Sequence, residues 1–265
     1  MRELHSVVCV KVVPKPEEIR VDPETRLLLR QGVRSEINPP DMNALEMALE
    51  LKDRYGGWVT LLSMGPALFE PGLRAGLAMG ADRVILLSDR AFAGADTLAT
   101  TYTLARGIRR MGDVHLILCG EESSDGATGQ VPPGLAEWLG ISQLTLVTAL
   151  DVDMGRKTAR GRRVFKGGYE ILEVPFPCVV SVKTAANEPR FMDYHRKDWA
   201  FEQARVNVWT ANDLDVDPDL IGFAGSPTTV SGLAEAPTRA RTREFLRGSP
   251  HQIARSLAGL LKENL

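Results

Sequence analysis

Short apolar runs recur along the chain, and each gap between them is long enough to hold one helix. Val7-Val8-Cys9-Val10-Lys11-Val12-Val13 is dominated by β-branched residues and stopped by Pro14, the pattern of a strand buried on both faces of a parallel sheet. Comparable runs are Val59-Thr60-Leu61-Leu62-Ser63, Val84-Ile85-Leu86-Leu87, His115-Leu116-Ile117-Leu118-Cys119, Leu144-Thr145-Leu146-Val147 and Cys178-Val179-Val180-Ser181-Val182. Between them the apolar period lengthens to that of a helix. Over residues 43–55, Ala44, Leu45, Met47, Ala48 and Leu51 fall on one stripe, with Asp41 or Asn43 available to cap its first amides. Residues 68–79 and 96–111 repeat the pattern, and Asp96 is placed to cap the second. Strand alternating with helix predicts an α/β fold, a parallel doubly wound sheet covered on both faces and joined by right-handed crossovers.

Two segments break this rhythm. Residues 156–174 alternate basic and apolar positions around Gly167-Gly168, which predicts a hairpin projecting from the sheet, with Arg160, Arg162 and Arg163 on its solvated face. From Trp199 the composition shifts to Asp, Pro, Gly and Thr with few periodic apolar residues. The expected organisation is therefore a domain over 1–198 followed by an arm over 199–265 without a core of its own. The arm ends in a helix: Ser249 can cap it, Pro250 suits its first turn, and Ile253, Leu257, Leu260 and Leu261 share one face. Such a face needs a surface to pack on, either in this chain or in another.

Composition narrows the function classes. With 265 residues, 44% hydrophobic and 25% charged, the chain has the profile of an ordinary globular protein. A net charge of -2 gives no general attraction to phosphate backbones, so nucleic acid is not an expected partner. No apolar run approaches the ~20 residues of a membrane span, and residues 1–5 lead straight into a strand without a signal peptide, so the expectation is a cytoplasmic protein with no membrane insertion. Cys9, Cys119 and Cys178 are far apart in sequence and read as small buried hydrophobes in a reducing compartment, not as metal ligands.

Open parallel sheets bind ligands at the carboxyl ends of their strands, beside the point where the strand order reverses. If that point lies between the first and fourth strands, the relevant loops span residues 11–16 and 120–133. The second contains Gly120, Gly126 and Gly129, which permit close backbone approach, and the hydroxyls of Ser123, Ser124 and Thr128. A helix starting near Pro132 follows and can aim its amide end at an anion. A diphosphate would fit this cradle, although an ordinary strand-to-helix loop collects the same residues for turn reasons. There is no Gly-x-x-x-x-Gly-Lys-Ser/Thr loop, no Gly-x-Gly-x-x-Gly after the first strand, no Gly-x-Ser-x-Gly elbow and no His-Glu-x-x-His helix. His5, His115, His195 and His251 are scattered. Taken alone, the residues describe a nucleotide-binding α/β protein without hydrolytic machinery.

Four segments carry the reading further. They are Val10-Lys11-Val12-Val13 with Ile37-Asn38-Pro39-Pro40-Asp41 and Ala44-Leu45-Glu46; Leu73-Arg74-Ala75-Gly76-Leu77-Ala78-Met79-Gly80-Ala81-Asp82-Arg83; the loop from Asp125 to Val131 with its Thr-Gly-Gln; and Asn187-Glu188-Pro189-Arg190-Phe191. In order and spacing they resemble the beta subunit of electron-transfer flavoproteins over about residues 7–191. The second segment is the most specific match. The resemblance implies a nucleotide-binding sheet of the adenine nucleotide alpha hydrolase-like kind. It implies an adenine nucleotide surrounded by Val10, Lys11, Asn38, Ser63, Met64 and Gly65, by Asp89, Ala95, Asp96 and Thr97, and by Gly120, Asp125, Gly126, Ala127, Thr128, Gly129, Gln130 and Val131. In the common form of the family that nucleotide is AMP, while the redox-active FAD lies mainly in the alpha subunit of a heterodimer. In the electron-bifurcating branch a second FAD takes the beta site and oxidises NADH.

Ser88-Asp89-Arg90-Ala91-Phe92-Ala93-Gly94-Ala95-Asp96-Thr97 and Gly225-Ser226-Pro227-Thr228 are similar to the bifurcating branch. The phosphate loop departs from that branch's Asp-Gly-Asp-Thr-Ala-Gln-Val-Gly-Pro, since Ala127 replaces an acid, Gly129 an alanine and Pro132 a glycine. A second departure follows Arg190. Many members carry a Tyr-Ala-Thr-Leu-Pro-Asn-Ile-Met stretch there, whose leucine inserts into an acyl-CoA dehydrogenase. This chain has Phe191-Met192-Asp193-Tyr194-His195-Arg196-Lys197-Asp198-Trp199, so docking to an acyl-CoA dehydrogenase-type redox partner would run through Met192, Tyr194 and Trp199. The readings to separate are an electron-transfer subunit, a nucleotide-binding sensor or structural module on the same sheet, and a free-standing nucleotide-dependent enzyme.

Overall fold

The computed structural model describes residues 3–14, 20–21, 28–29, 35–229 and 245–263. The chain opens with β1 (His5–Cys9), β2 (Val12–Pro14), two-residue strands β3 (Arg20–Val21) and β4 (Leu28–Leu29), β5 (Ser35–Ile37) and α1 (Pro39–Tyr55). Alternation follows, through β6 (Trp58–Met64), α2 (Glu70–Met79), β7 (Arg83–Leu87), α3 (Thr97–Met111), β8 (Leu116–Gly120) and α4 (Val131–Leu139). Then come β9 (Ser142–Asp153), the hairpin β10 (Thr158–Phe165) and β11 (Gly168–Pro175), β12 (Cys178–Val182), α5 (Tyr194–Asp198), β13 (Val206–Trp209) and α6 (Ala211–Leu214).

Nine of the strands form one sheet in the order β11-β10-β9-β12-β8-β1-β6-β7-β13. From β9 to β13 every pairing is parallel, and only the hairpin strands run antiparallel. Because β6 and β7 extend to one side of β1 while β8 and β12 lie on the other, the strand order reverses between β1 and β8, the first and fourth strands of the sequence pattern. Alternate residues feed two cores. Val8 and Leu61 join α1 and α2 on one face, through Leu45, Leu49, Leu73 and Leu77. Val7, Cys9, Leu62 and Cys119 join α3 and α4 on the other, through Tyr102, Ile108 and Leu135. All three cysteines are buried free thiols. His5 is buried as well, with Nδ1 2.9 Å from the Asp113 carbonyl and Nε2 3.1 Å from Thr60 Oγ1, and burial lowers its pKa, so it packs as a neutral ring.

Three elements differ from the sequence pattern. The first strand stops at Cys9; the chain then turns so that β2 pairs antiparallel with β5 and Val12 faces Ile37. The helix α1 begins at Pro39 rather than near Asn43, because Pro39 and Pro40 suit a first turn whose amides lack intrahelical partners anyway. Asp41 therefore sits inside that turn and caps nothing. Finally, part of the segment that composition sets apart joins the sheet: β13 lies parallel to β7, with Val206 opposite Val84 and Trp209 opposite Leu87. The compact unit holding the sheet runs to Ser231. A second unit, from Gly232, contains α7 (Pro250–Glu263), whose start carries reciprocal caps: Ser249 N donates to Gln252 Oε1 at 2.8 Å, and Gln252 N to Ser249 Oγ at 3.4 Å.

Candidate functional site

The exits of β1 and β8 meet at the point of strand reversal, and α1 begins against both. Asp41 Oδ2 accepts the main-chain N–H of Lys11 at 2.8 Å, and its Oδ1 accepts that of Gly120 at 3.1 Å, so one carboxylate staples the two strand ends. Gly120 is needed for this approach: a Cβ there would lie 2.4 Å from Asp41 Oδ1 and 2.7 Å from the Pro40 carbonyl carbon. Asn38, fully buried, donates Nδ2–H to the Glu122 carbonyl at 2.9 Å and accepts the Ser124 N–H at 2.9 Å. Lys11 Nζ reaches Asp125 Oδ1 at 2.7 Å. Burial pushes the Asp125 pKa upward, but the hydrogen bond and charge of Lys11 outweigh it and the carboxyl stays below its ordinary range. Residues far apart in sequence thus hold the 120–131 loop on the carboxyl edge.

Within the loop, Ala127 N donates to the Ser123 carbonyl at 2.8 Å, and Ala127 and Gly129 take left-handed backbone angles, φ 46° and 62°. Alternating handedness of this kind turns successive amides toward a common point, a geometry suited to anions. The open space above Gly126 is bounded by Ser123 Oγ, 3.2 Å from where a Cβ would stand. The helix that follows contributes less than its position suggests. α4 starts at Val131, and Pro132 and Pro133 have no N–H, so Val131 supplies the amide of that turn and the loop must supply the others.

Ser63, Met64 and Gly65 close β6 beside the exit of β1. Val10 N donates to the Leu62 carbonyl at 2.9 Å, and Gly65 N to the Leu87 carbonyl at 3.0 Å. A Cβ at Gly65 would enter the Phe69 ring. The Ser63 hydroxyl is buried and has no hydrogen-bond partner among the described residues. A buried polar group without a partner costs about 1–3 kcal/mol unless something satisfies it. This orphaned donor and the glycine-lined cradle fit a polar, phosphate-bearing ligand at this edge.

The segment from Asp89 to Thr97 forms the next wall. Asp89 accepts Ala91 N–H at 3.0 Å and Ala211 N–H at 3.0 Å, and those bonds lower its pKa. Asp96 caps α3 as expected: Oδ1 accepts Leu98 N–H at 2.9 Å and Ala99 N–H at 3.1 Å, while Oδ2 accepts the N–H and hydroxyl of Thr228 at 3.1 and 2.8 Å. Burial works against its ionisation, but these bonds prevail and hold its pKa below the usual value. Asp96 N in turn donates to Ser226 Oγ at 2.8 Å, and Thr97 Oγ1 donates to Gln130 Oε1 at 2.9 Å. Ala95, half-buried, lies between Gly94 and this cap. The Asp96 carboxylate thus occupies the amide end of α3.

The residues expected to dock a partner lie elsewhere. Asn43 and Asn187 bond reciprocally, with Asn43 Nδ2 2.8 Å from the Asn187 carbonyl and Asn187 Nδ2 3.1 Å from the Asn43 carbonyl. Arg190 forks onto Glu46 at 2.9 Å and reaches Asp53 at 2.8 Å. Asn187 and Arg190 therefore clamp the segment to α1. Beyond the clamp, Asp193 N donates to the Ala78 carbonyl at 2.9 Å and Arg196 Nη2 to that of Ala81 at 2.6 Å, placing the segment at the carboxyl end of α2, just before β7 begins. This is the amino edge of the sheet, away from the loop. Met192, Tyr194 and Trp199 are exposed here, Trp199 beneath the Arg196 guanidinium at 5.2 Å. Phe191, absent from the expected docking set, is the most exposed of the group at 96%. Its position directly after the motif's arginine was the available signal.

Comparison with known proteins gives a consistent result. The family described as Electron transfer flavoprotein domain matches residues 25–214. The Electron transfer flavoprotein subunit beta of Clostridium acetobutylicum is 46% identical over 86% of this chain and 86% of its own length. Protein FixA of Bradyrhizobium diazoefficiens is 43% identical over 96% and 90%, and the Caffeyl-CoA reductase-Etf complex subunit CarD of Acetobacterium woodii is 39% identical over 98% of each.

Proposed function

From the premise that this chain belongs to the electron transfer flavoprotein family, as a beta subunit, we propose that it binds FAD at the carboxyl edge of its sheet and exchanges electrons with a flavin carried by an alpha subunit. The observation that carries the reading is the loop of residues 120–131, stapled by Asp41, Asn38 and Lys11 and held with Ala127 and Gly129 in left-handed conformation. When bound, the flavin supplies the one- and two-electron chemistry. The chain's own residues orient it. The loop amides of Gly126 and of Thr128 to Val131 would take the diphosphate, the Ala127 N–H being held by the Ser123 carbonyl; Ser63 would satisfy its buried hydroxyl on the ligand, and Thr97 and Gln130 would fix the loop against the α3 wall.

FAD is favoured over AMP by the way the two segments similar to the bifurcating branch meet. Residues 88–97 and 225–228 are bonded to each other through Asp96, Ser226 and Thr228, so they would act as one wall toward which the flavin end of FAD, which AMP lacks, would extend. NADH would reduce this flavin, and electrons would divide between two acceptors. AMP is the second reading, favoured by Ala127 at the position where the bifurcating pattern carries an acid.

The heterodimer would form with the alpha subunit, with the apolar stripe of α7 packing on that partner, and buried thiols suit the cytoplasm as its compartment. A relative is named for a caffeyl-CoA reductase complex, and the redox partner here is proposed as an acyl-CoA dehydrogenase-type enzyme seated on Met192, Tyr194, Trp199 and Phe191. The test is anaerobic titration of the co-expressed heterodimer with NADH, followed by its visible spectrum. Bleaching of flavin by NADH is expected. Flavin that NADH leaves oxidised would remove bifurcation, and a heterodimer without flavin would remove the electron-transfer assignment.

A further inference from the structure

We propose that Asp41 positions the nucleotide cradle and takes up a proton when the diphosphate binds, so that nucleotide retention by this chain is proton-linked. The proposal rests on the ligand assignment above and adds the regulation of that site. Asp41 is buried at the point where the strand order reverses, and its oxygens receive main-chain N–H groups from Lys11 and Gly120, the first residues of the two ligand loops. The fit is tight, since Gly120 leaves no space for even a methyl group beside Oδ1.

No cation neutralises this carboxylate at ion-pair distance among the described residues. The Lys11 ammonium, whose charge favours ionisation of Asp41, is directed at Asp125 Oδ1 at 2.7 Å. The other ionisable groups around it do not help. Cys9 on β1 and Cys119 on β8 are buried thiols, with the Cys119 pKa pushed up by its contact with Cys9, and Glu121 in the loop is paired with Lys183 at 2.6 Å. A carboxyl taken out of water without a paired counter-ion resists ionisation, and burial raises the Asp41 pKa to about 7 despite the N–H bonds from Lys11 and Gly120, a side-chain bond from Asn38 and the charge of Lys11. A diphosphate arriving on the same loop adds negative charge at short range through a poorly screened interior, which raises it further. The balance is simple: the carboxylate gains one proton from solvent, nothing else is bonded or broken, and by linkage protons and nucleotide favour each other's binding.

The heterodimer, stripped of nucleotide, is titrated calorimetrically with FAD in pairs of buffers differing in ionisation enthalpy, from about pH 6 to about pH 9. FAD is chosen because its diphosphate keeps its charge over this range. The expected result is net proton uptake on binding, greatest just above neutral pH, with an affinity that falls several-fold toward the alkaline end. In Asp41→Asn, which keeps the size of the side chain, uptake should vanish and the affinity become flat with pH. Should Asn fail to fold, a carboxylic-acid carbonyl band appearing on FAD binding in the infrared difference spectrum of the wild-type protein gives the same answer. FAD bound without uptake or pH dependence overturns the proposal and leaves the ligand site standing. If no FAD binds beyond the alpha-subunit site, both fall together.

Discussion

Gly120 shows how little room the site leaves at single positions. Its missing side chain lets α1 start against β8, so Gly120→Ala should push on Asp41 and the Pro40 main chain, cost about 1–3 kcal/mol of stability and release nucleotide, whereas Gly168→Ala, in the hairpin turn, should do neither. Thermal unfolding and nucleotide content measure both. Asp41 also sets a direction with pH. Its folded pKa of about 7 lies above the unfolded value of 3.8, so the protonated form favours the fold: this contribution is complete below pH 3.8 and is lost as pH rises toward 7. Relative to acid, ionised Asp41 costs of order 4 kcal/mol, and Asp41→Asn should flatten the fall in urea midpoint between about pH 4 and about pH 7. Asp89 and Asp96 act in the opposite sense, stabilising above about pH 4 and losing that contribution on acidification. The sequence marked the loop but offered Asp41, with Asn43, only as a candidate helix cap. The bond that defines it, from Gly120 N, crosses 79 positions of chain, and no local pattern records such a contact.

Periodic elements were legible because burial writes itself into period: the strands, the helices over 68–79 and 96–111, the Asp96 and Ser249 caps and the hairpin all appear within a few residues of their expected places. What stayed hidden depends on partners elsewhere. The edge strand β13 has a half-polar pattern, Val-Asn-Val-Trp, and becomes a strand only because β7 offers a free edge. The Leu146 left-handed bulge, with its N–H on Ser181 Oγ at 2.8 Å, is likewise invisible locally. In the phosphate loop, Ala127 takes a left-handed conformation that costs a residue with a Cβ roughly 1–2 kcal/mol. Ala127→Gly should therefore raise stability by up to about 1 kcal/mol, read from chemical denaturation, while leaving nucleotide bound. The clamp from the docking segment to α1 makes a different prediction. Arg190→Ala leaves the nearly buried Glu46 with only the main-chain N–H of residue 190, and since Arg190 is itself one-third exposed the cost should be about 1–2 kcal/mol, below that of a fully buried pair. Nucleotide content should be retained while electron transfer to the dehydrogenase-type partner slows, because Phe191 to Trp199 lose their anchor.

At the scale of the sheet, the proposed nucleotide cradle and the proposed docking segment lie on opposite edges. The 120–131 loop sits where strands end and the exposed aromatic segment where they begin, so on the proposed function a redox partner would be recognised without touching the ligand loops. That separation predicts that Tyr194→Ala should weaken partner-linked turnover and leave bound nucleotide unchanged, whereas Gly129→Val, which forces β-branched bulk onto a left-handed position, should strip nucleotide first. Release and quantification of the nucleotides in the purified heterodimer bear most directly on what this chain holds. Two FAD per heterodimer with no AMP is the expected composition. One FAD with no adenine nucleotide besides it would contradict the site on this chain, and one FAD with one AMP would keep the cradle but make the protein a single-flavin carrier.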